Sequence, residues 1–194
     1  MPFEPEDEEK QPSLSLDRDG ALLLVIDVQD RLASAMPAER LAQLQKNAGV
    51  LIRAARRLEL PVMATEQYPK GLGRTVPALR ELLGSDPMEK LEFSCGANKA
   101  VARQILATGR RQVIALGMEA HVCVFQTVRD LARGGFSVFV PEDAVISRTE
   151  ANRAVGLRLC EKAGATLTST ETVLFDLLGA AGTPEFKELA PLIK

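Results

Sequence analysis

The chain has 194 residues, of which 46% are apolar and 26% charged, and its formal net charge is -2. A domain of this size buries about 70% of its unfolded surface, and so small a net charge gives no basic field for nucleic acid or an anionic membrane. No stretch approaches the roughly 18 uninterrupted apolar residues of a membrane-spanning helix.

The first residues, M-P-F-E-P-E-D-E-E-K-Q-P, lack the basic-then-apolar order of a signal peptide. Residues 1–14 are read as an acidic, solvated tail without fixed structure, and residues 15–194 as a single domain. Three cysteines, Cys95, Cys123 and Cys160, form no C-x-x-C pair. With no export signal, reduced thiols in a cytoplasmic setting are the expectation. The single histidine, His121, excludes by counting zinc or iron sites built on two or three imidazoles.

In chain order, residues 22–28 (L-L-L-V-I-D-V) form a near-continuous apolar run containing one acid. Helical spacing of Leu41, Leu44, Ala48, Leu51, Ile52, Ala55 and Leu58 predicts a helix over 39–58. Residues 61–65 read as a second strand. A Gly- and Pro-rich loop over 67–77 leads into a short helix near 78–83. Residues 90–93 are a third strand candidate, 99–108 a helix, and 112–118 a strand. A helix over 122–133 ends at Gly134-Gly135, a plausible C-cap. Then come a strand at 137–140, a helix at 150–163, a strand at 165–169 and a helix at 171–178. Residues 184–193 are a short helix or an ordered tail.

Strands alternate with helices, and the strands are continuous apolar runs. That pattern belongs to a parallel sheet covered by helices on both faces. There is no internal repeat, linker or second composition regime. In such sheets ligands sit outside the carboxyl ends of the strands. The polar residues there are Asp27, Thr65-Glu66-Gln67, Lys90 and Cys123.

Those residue types suit covalent hydrolysis. A free thiol is only a few per cent thiolate at neutral pH. A helix N-terminus and a nearby ammonium, which Lys90 could supply, favour the anion. Asp27 could accept the thiol proton and later donate it to a leaving group. Each residue also has a plainer reading. Cys95 and Cys160 are read as packing, Lys90 alone as a surface lysine, and His121 as a loop or pocket-wall residue. Asp27 is harder to dismiss, because a carboxylate inside an apolar run is costly unless paired or hydrogen-bonded.

Three segments carry a resemblance: L-L-L-V-I-D-V-Q-D with Asp27, E-K-L-E-F-S with Lys90, and G-M-E-A-H-V-C-V with Cys123. They resemble the three motifs of the isochorismatase-like cysteine hydrolases. P-V-M-A-T-E-Q-Y-P-K-G-L-G (61–73) and T-E-T-V-L-F-D-L-L-G (170–179) are similar to the isochorismatase domain-containing subgroup. The resemblance runs from about residue 22 to 192. It implies a Rossmann-like α/β fold with a six-stranded parallel sheet, and a catalytic triad on Asp27, Lys90 and Cys123. It also implies a cis peptide between Met118 and Glu119, with the backbone amides of Glu119 and Cys123 forming an oxyanion hole.

The implied reaction is hydrolysis of a C–N bond in a small-molecule amide through a Cys123 thioester, without cofactor. Nicotinamidases carry an Asp-x-His metal motif where this chain reads Gln67-Tyr68-Pro69, so no metal is expected. Two alternatives remain: hydrolysis of a vinyl ether or other non-amide bond, and a non-catalytic redox-responsive or scaffold protein. Gln29, Gln67, Tyr68, His121 and Phe125 are the candidates for lining the substrate pocket; Phe93 and Val122 are as readily core. Relatives of this kind are often dimers or larger, which implies a homo-oligomer.

Overall fold

A computed structural model describes residues 14–193. The tail expected at 1–14 therefore falls, up to residue 13, outside the described residues. Seven strands form one sheet: β1 (Ala21–Ile26), β2 (Val62–Gln67), β3 (Met88–Lys90), β4 (Gln112–Met118), β5 (Ser137–Pro141), β6 (Val145–Ile146) and β7 (Thr166–Thr168). Every pairing is parallel, in the order β3-β2-β1-β4-β5-β7. This is the expected six-stranded arrangement. The two-residue β6 is an addition, pairing with β4 at Gly117 and Met118 beyond the point where β5 leaves.

The helices are α1 (Asp30–Ala33), α2 (Ala38–Arg57), α3 (Pro69–Leu72), α4 (Pro77–Leu83), α5 (Lys99–Ala107), α6 (Phe125–Arg133), α7 (Glu150–Lys162), α8 (Thr170–Leu178) and α9 (Pro184–Leu189). Among the described residues none is long and apolar enough to cross a membrane. Side chains of β1 alternate between the two faces. Leu23 and Val25 pack with residues of α2, α4 and α8, whereas Leu22, Leu24 and Ile26 pack with residues of α5, α6 and α7. Burial on both faces explains why the strand is apolar at consecutive positions rather than alternate ones.

Four departures from the expected elements shape the strand ends. Asp27 is not in the strand; it follows β1 with φ 51°, in the left-handed region that Asp enters more readily than most residues. The third strand ends at Lys90 instead of running through Phe93, because the ammonium of Lys90 bonds the carbonyls of Glu92 and Phe93 and curls the chain around itself. Leu91 and Phe93 are consequently exposed. Inside the expected loop lies α3. The helix expected from Val122 is preceded by a π-helical turn, Ala120–Val124, of the kind often found at functional sites.

The register aligns the strand ends. Ile26 stands opposite Thr65 and Gly117, and Gln67 opposite Lys90. The order of connection reverses between β1 and β4, which makes that crevice the topological switch point where open α/β sheets bind ligands. Gly117 permits the close approach there: it has φ 127°, and a Cβ would sit 2.0 Å from the Ile26 carbonyl oxygen.

Candidate active site

Asp27 leaves β1 pointing into the protein and is wholly buried. Its amide donates to the Thr65 carbonyl at 3.1 Å, and its carbonyl accepts from Gln29 N at 2.9 Å. The carboxylate is occupied on both oxygens. Oδ1 accepts from the Thr65 hydroxyl at 2.8 Å, and Oδ2 faces Lys90 Nζ at 2.6 Å. The Lys90 side chain is also fully buried. Its three N–H donors have three acceptors: Asp27 Oδ2, Glu92 O at 3.3 Å and Phe93 O at 3.1 Å. Burial, the largest single influence, disfavours the ammonium, but the Asp27 charge and hydrogen bond, joined by Cys95 and Cys123, together hold Lys90 above the usual lysine value.

Cys123 lies in the π-helical turn and is 6% exposed. Its thiol donates to Gln67 Oε1 at 3.6 Å. Burial pushes the thiol well above its ordinary pKa, and the Asp27 charge and hydrogen bond push the same way, against the pull of Lys90. The resting sulfur is therefore a protonated thiol, not the thiolate that an adjacent ammonium alone would favour. The reason is first burial and then the Asp27 charge, which together outweigh the pull of Lys90. Of the other thiols, Cys160 is core-packed in α7, pushed up to about 12 by burial. Cys95 is also buried, but its sulfur lies 3.7 Å from Thr65 Oγ1, the hydroxyl that bonds Asp27. Burial, and then the Asp27 charge, push it up to about 11.

The peptide between Met118 and Glu119 is cis. The Glu119 carboxylate accepts from the Arg148 amide at 3.0 Å and its Nε at 3.1 Å, and the Glu119 carbonyl accepts from Val122 and Val124 amides at 3.0 and 3.2 Å. These bonds tie the segment between β4 and the thiol from both sides. Gly156 of α7 presses on the same turn: a Cβ there would lie 2.5 Å from the Ala120 carbonyl carbon and 2.6 Å from His121 N. Gly156→Ala is expected to cost about 1–3 kcal/mol through overpacking, and to lower turnover roughly 100-fold by displacing the sulfur. Denaturant unfolding and steady-state rates, measured together, check this; native turnover in a stable variant would contradict it.

The pocket candidates divide. Gln29 is wholly buried, and its amide clamps Gln67: Oε1 accepts from Gln67 N at 2.8 Å, while Nε2 donates to Gln67 O at 3.0 Å and Gly73 O at 2.7 Å. Gln67 faces the sulfur. Tyr68 is half exposed with φ 38°, and its amide donates to Lys90 O at 2.9 Å. Together with Lys70, Glu89, Leu91 and Glu92 it borders a cleft of about 430 Å3 that reaches Lys90 but neither Asp27 nor Cys123. His121 is half-buried, its Nδ1 3.1 Å from Ser147 Oγ. Phe125 packs against the core, with the Arg129 guanidinium 5.7 Å from its ring centroid. Val122 packs there too, while Phe93 is exposed and belongs to neither core cluster.

Sequence reasoning missed the clasp on the loop over 68–75. Buried Glu66 accepts from Thr75 N at 2.7 Å, Thr75 Oγ1 at 2.9 Å and Arg74 Nη1 at 2.9 Å. Burial would raise its pKa; those donors outweigh it and hold Glu66 below the usual carboxylate range. A lone Glu among Thr and Gln gives no local sign of this, although an acid at a strand end is the available hint. Among the described residues there is no group of three or more His, Cys, Asp or Glu placed to hold a metal.

The fold and side chains define an α/β protein with a thiol beside a buried carboxylate–ammonium pair at the switch point of its sheet. The family model for the isochorismatase domain matches residues 21–172. The chain is 36% identical over 187 residues to isochorismatase domain-containing protein 2 of Pongo abelii, spanning 95% of this chain and 88% of that protein. It is similar to the structure of MAR1 ribonuclease from Caenorhabditis elegans, with TM-score 0.85, 38% identity and 92% of each chain covered. It is also similar to the YcaC gene product of Escherichia coli, described as an octameric hydrolase of unknown specificity, with TM-score 0.85, 26% identity and 94% of this chain and 90% of that one covered. The chain belongs to the isochorismatase family of hydrolases.

Proposed function

We propose that the chain is a metal-independent cysteine hydrolase that cleaves the C–N bond of a small-molecule amide. The observation that carries this reading is the buried pairing of Lys90 Nζ with Asp27 Oδ2 at 2.6 Å, with the Cys123 thiol close enough to feel both charges. As the sulfur attacks the carbonyl carbon, its proton passes to Asp27, and the carbonyl electrons move to an oxygen held by the amides of Glu119 and Cys123. Collapse of that adduct breaks the C–N bond, and Asp27 returns the proton to the departing nitrogen. Water then attacks the thioester, giving its proton to Asp27, and the leaving sulfur takes that proton back. The products are a carboxylic acid and an amine or ammonia.

In this reading Lys90 holds the Asp27 carboxylate in place beside the sulfur. The raised thiol pKa fits a proton that leaves only during attack. A metal-bound substrate is not part of the scheme, because Gln67 stands where metal-using relatives carry aspartate and its amide is engaged by Leu91 and Cys123. A homo-oligomer is the matching assembly, supported by the octameric relative.

The test is a panel of small carboxamides and ureides with a vinyl ether and an RNA oligonucleotide as controls. Amine or ammonia release is expected, with an acyl adduct on Cys123 in acid-quenched samples by mass spectrometry, and both are lost in Cys123→Ala. Amide turnover that survives Cys123→Ala, or cleavage of a control with no amide turned over, would overturn the proposal.

A further inference from the structure

Gln67 has an acceptor locked onto the sulfur. Its backbone is gripped on both sides by the Gln29 amide, through Gln67 N at 2.8 Å and Gln67 O at 3.0 Å. Its side-chain Nε2 donates to the Leu91 carbonyl at 2.9 Å. A carbonyl can only accept, so the amide cannot flip without setting oxygen against oxygen. Oε1 is left facing Cys123 Sγ at 3.6 Å, in a residue only 8% exposed. In the resting protein the thiol proton occupies it.

When the sulfur bonds to a carbonyl carbon, that proton is gone and Oε1 needs another donor. The atom next to the reacting carbon is the leaving group. A primary carboxamide nitrogen carries two hydrogens, and Gln67 Oε1 stands beside the sulfur to accept one of them, while Asp27, which took the thiol proton, donates to the nitrogen lone pair. An ester oxygen brings lone pairs against Gln67 Oε1 and leaves that buried acceptor unsatisfied, a recognised basis for strong discrimination.

Building on the amidase reading, we propose that Gln67 is a specificity-determining residue that selects substrates bearing N–H on the leaving group, primary carboxamides first, over esters and N,N-disubstituted amides of the same acyl group. It does so by accepting a hydrogen bond from the leaving nitrogen through Oε1. Replacing it should alter the choice between leaving groups without removing the nucleophile.

The experiment measures kcat/KM for one acyl group presented as primary amide, N-methyl amide, N,N-dimethyl amide and methyl ester, in the wild-type chain, Gln67→Met and Gln67→Glu. The wild type is expected to favour the primary amide over the dimethyl amide. Gln67→Met keeps the length and removes the oxygen, and is expected to lower the primary-amide-to-ester ratio about tenfold. Gln67→Glu retains an oxygen acceptor and is expected to preserve the ratio even if both rates fall. Equal losses on amide and ester in Gln67→Met would mark a merely structural role and overturn the proposal. A wild-type chain inert toward the whole series would overturn it together with the amidase reading, whereas amide turnover with an unchanged ratio would remove this inference alone.

Discussion

Lys90→Met is expected to destabilise the fold by about 3–5 kcal/mol and to lower turnover by about a thousandfold. The methionine keeps an unbranched apolar stem, stops one atom short of the ammonium position and carries no charge. It would leave the Asp27 carboxylate, wholly buried and 2.6 Å from the ammonium in the wild type, without a counter-charge, the Thr65 hydroxyl remaining on its other oxygen. Removing one partner of a buried charge pair leaves the other uncompensated, and the carboxylate is no longer held by Nζ in the position from which it would receive the Cys123 proton. The carbonyls of Glu92 and Phe93 would lose their donor as well, which loosens the turn after β3. Denaturant unfolding and kcat on the same preparation test both effects. A variant within about 1 kcal/mol and tenfold of the wild type would show that the pair does not have the importance assigned to it.

Asp27→Asn should move two measurements in opposite directions. The Asp27 charge is, after burial, the leading cause that raises the Cys123 thiol, and Lys90 is the one that pulls it down. Removing the carboxylate lowers the thiol pKa on both counts, since the ammonium is no longer neutralised by its neighbour. Iodoacetamide should therefore alkylate Cys123 faster at neutral pH in D27N than in the wild type, where alkylation is slow and accelerates as pH rises through the elevated thiol pKa. Hydrolysis should fall by about 10²–10⁴-fold all the same, because asparagine neither accepts the thiol proton nor donates to the leaving nitrogen. Slower alkylation, or turnover retained, would contradict the assignment of Asp27 as the proton carrier. A thiol that is more reactive yet less productive is an outcome that simple damage to the site would not produce.

Much of this architecture was readable along the chain. Runs such as L-L-L-V-I and V-I-A-L demand burial on both faces, and the helical spacing from Leu44 to Ala55 demands a stripe facing a sheet; each follows from side-chain period over a few residues. The acid at position 27 was conspicuous for the same reason, as a charge where the pattern asks for hydrocarbon. Lys90 and Cys123 stood out along the chain only as polar residues at strand ends, and their roles came from resemblance to a family. Taken alone, that lysine reads as a surface lysine.

What lay beyond the chain pattern were relations between distant residues. Lys90 and Asp27 are 63 positions apart, Cys123 and Gln67 are 56 apart, and Gln29 reaches Gln67 across 38. The orientation of the Gln67 amide depends on a carbonyl supplied by the turn after β3, and that turn exists because the chain wraps the Lys90 ammonium. The protonated resting thiol is likewise a balance among burial, a carboxylate and an ammonium, the last two delivered by two other strand ends. Hydrophobic periodicity is encoded in neighbours a few residues apart, so it survives in the linear text. Charge balance and hydrogen-bond direction arise only when parallel pairing in register brings the ends of β1, β2, β3 and β4 to one crevice.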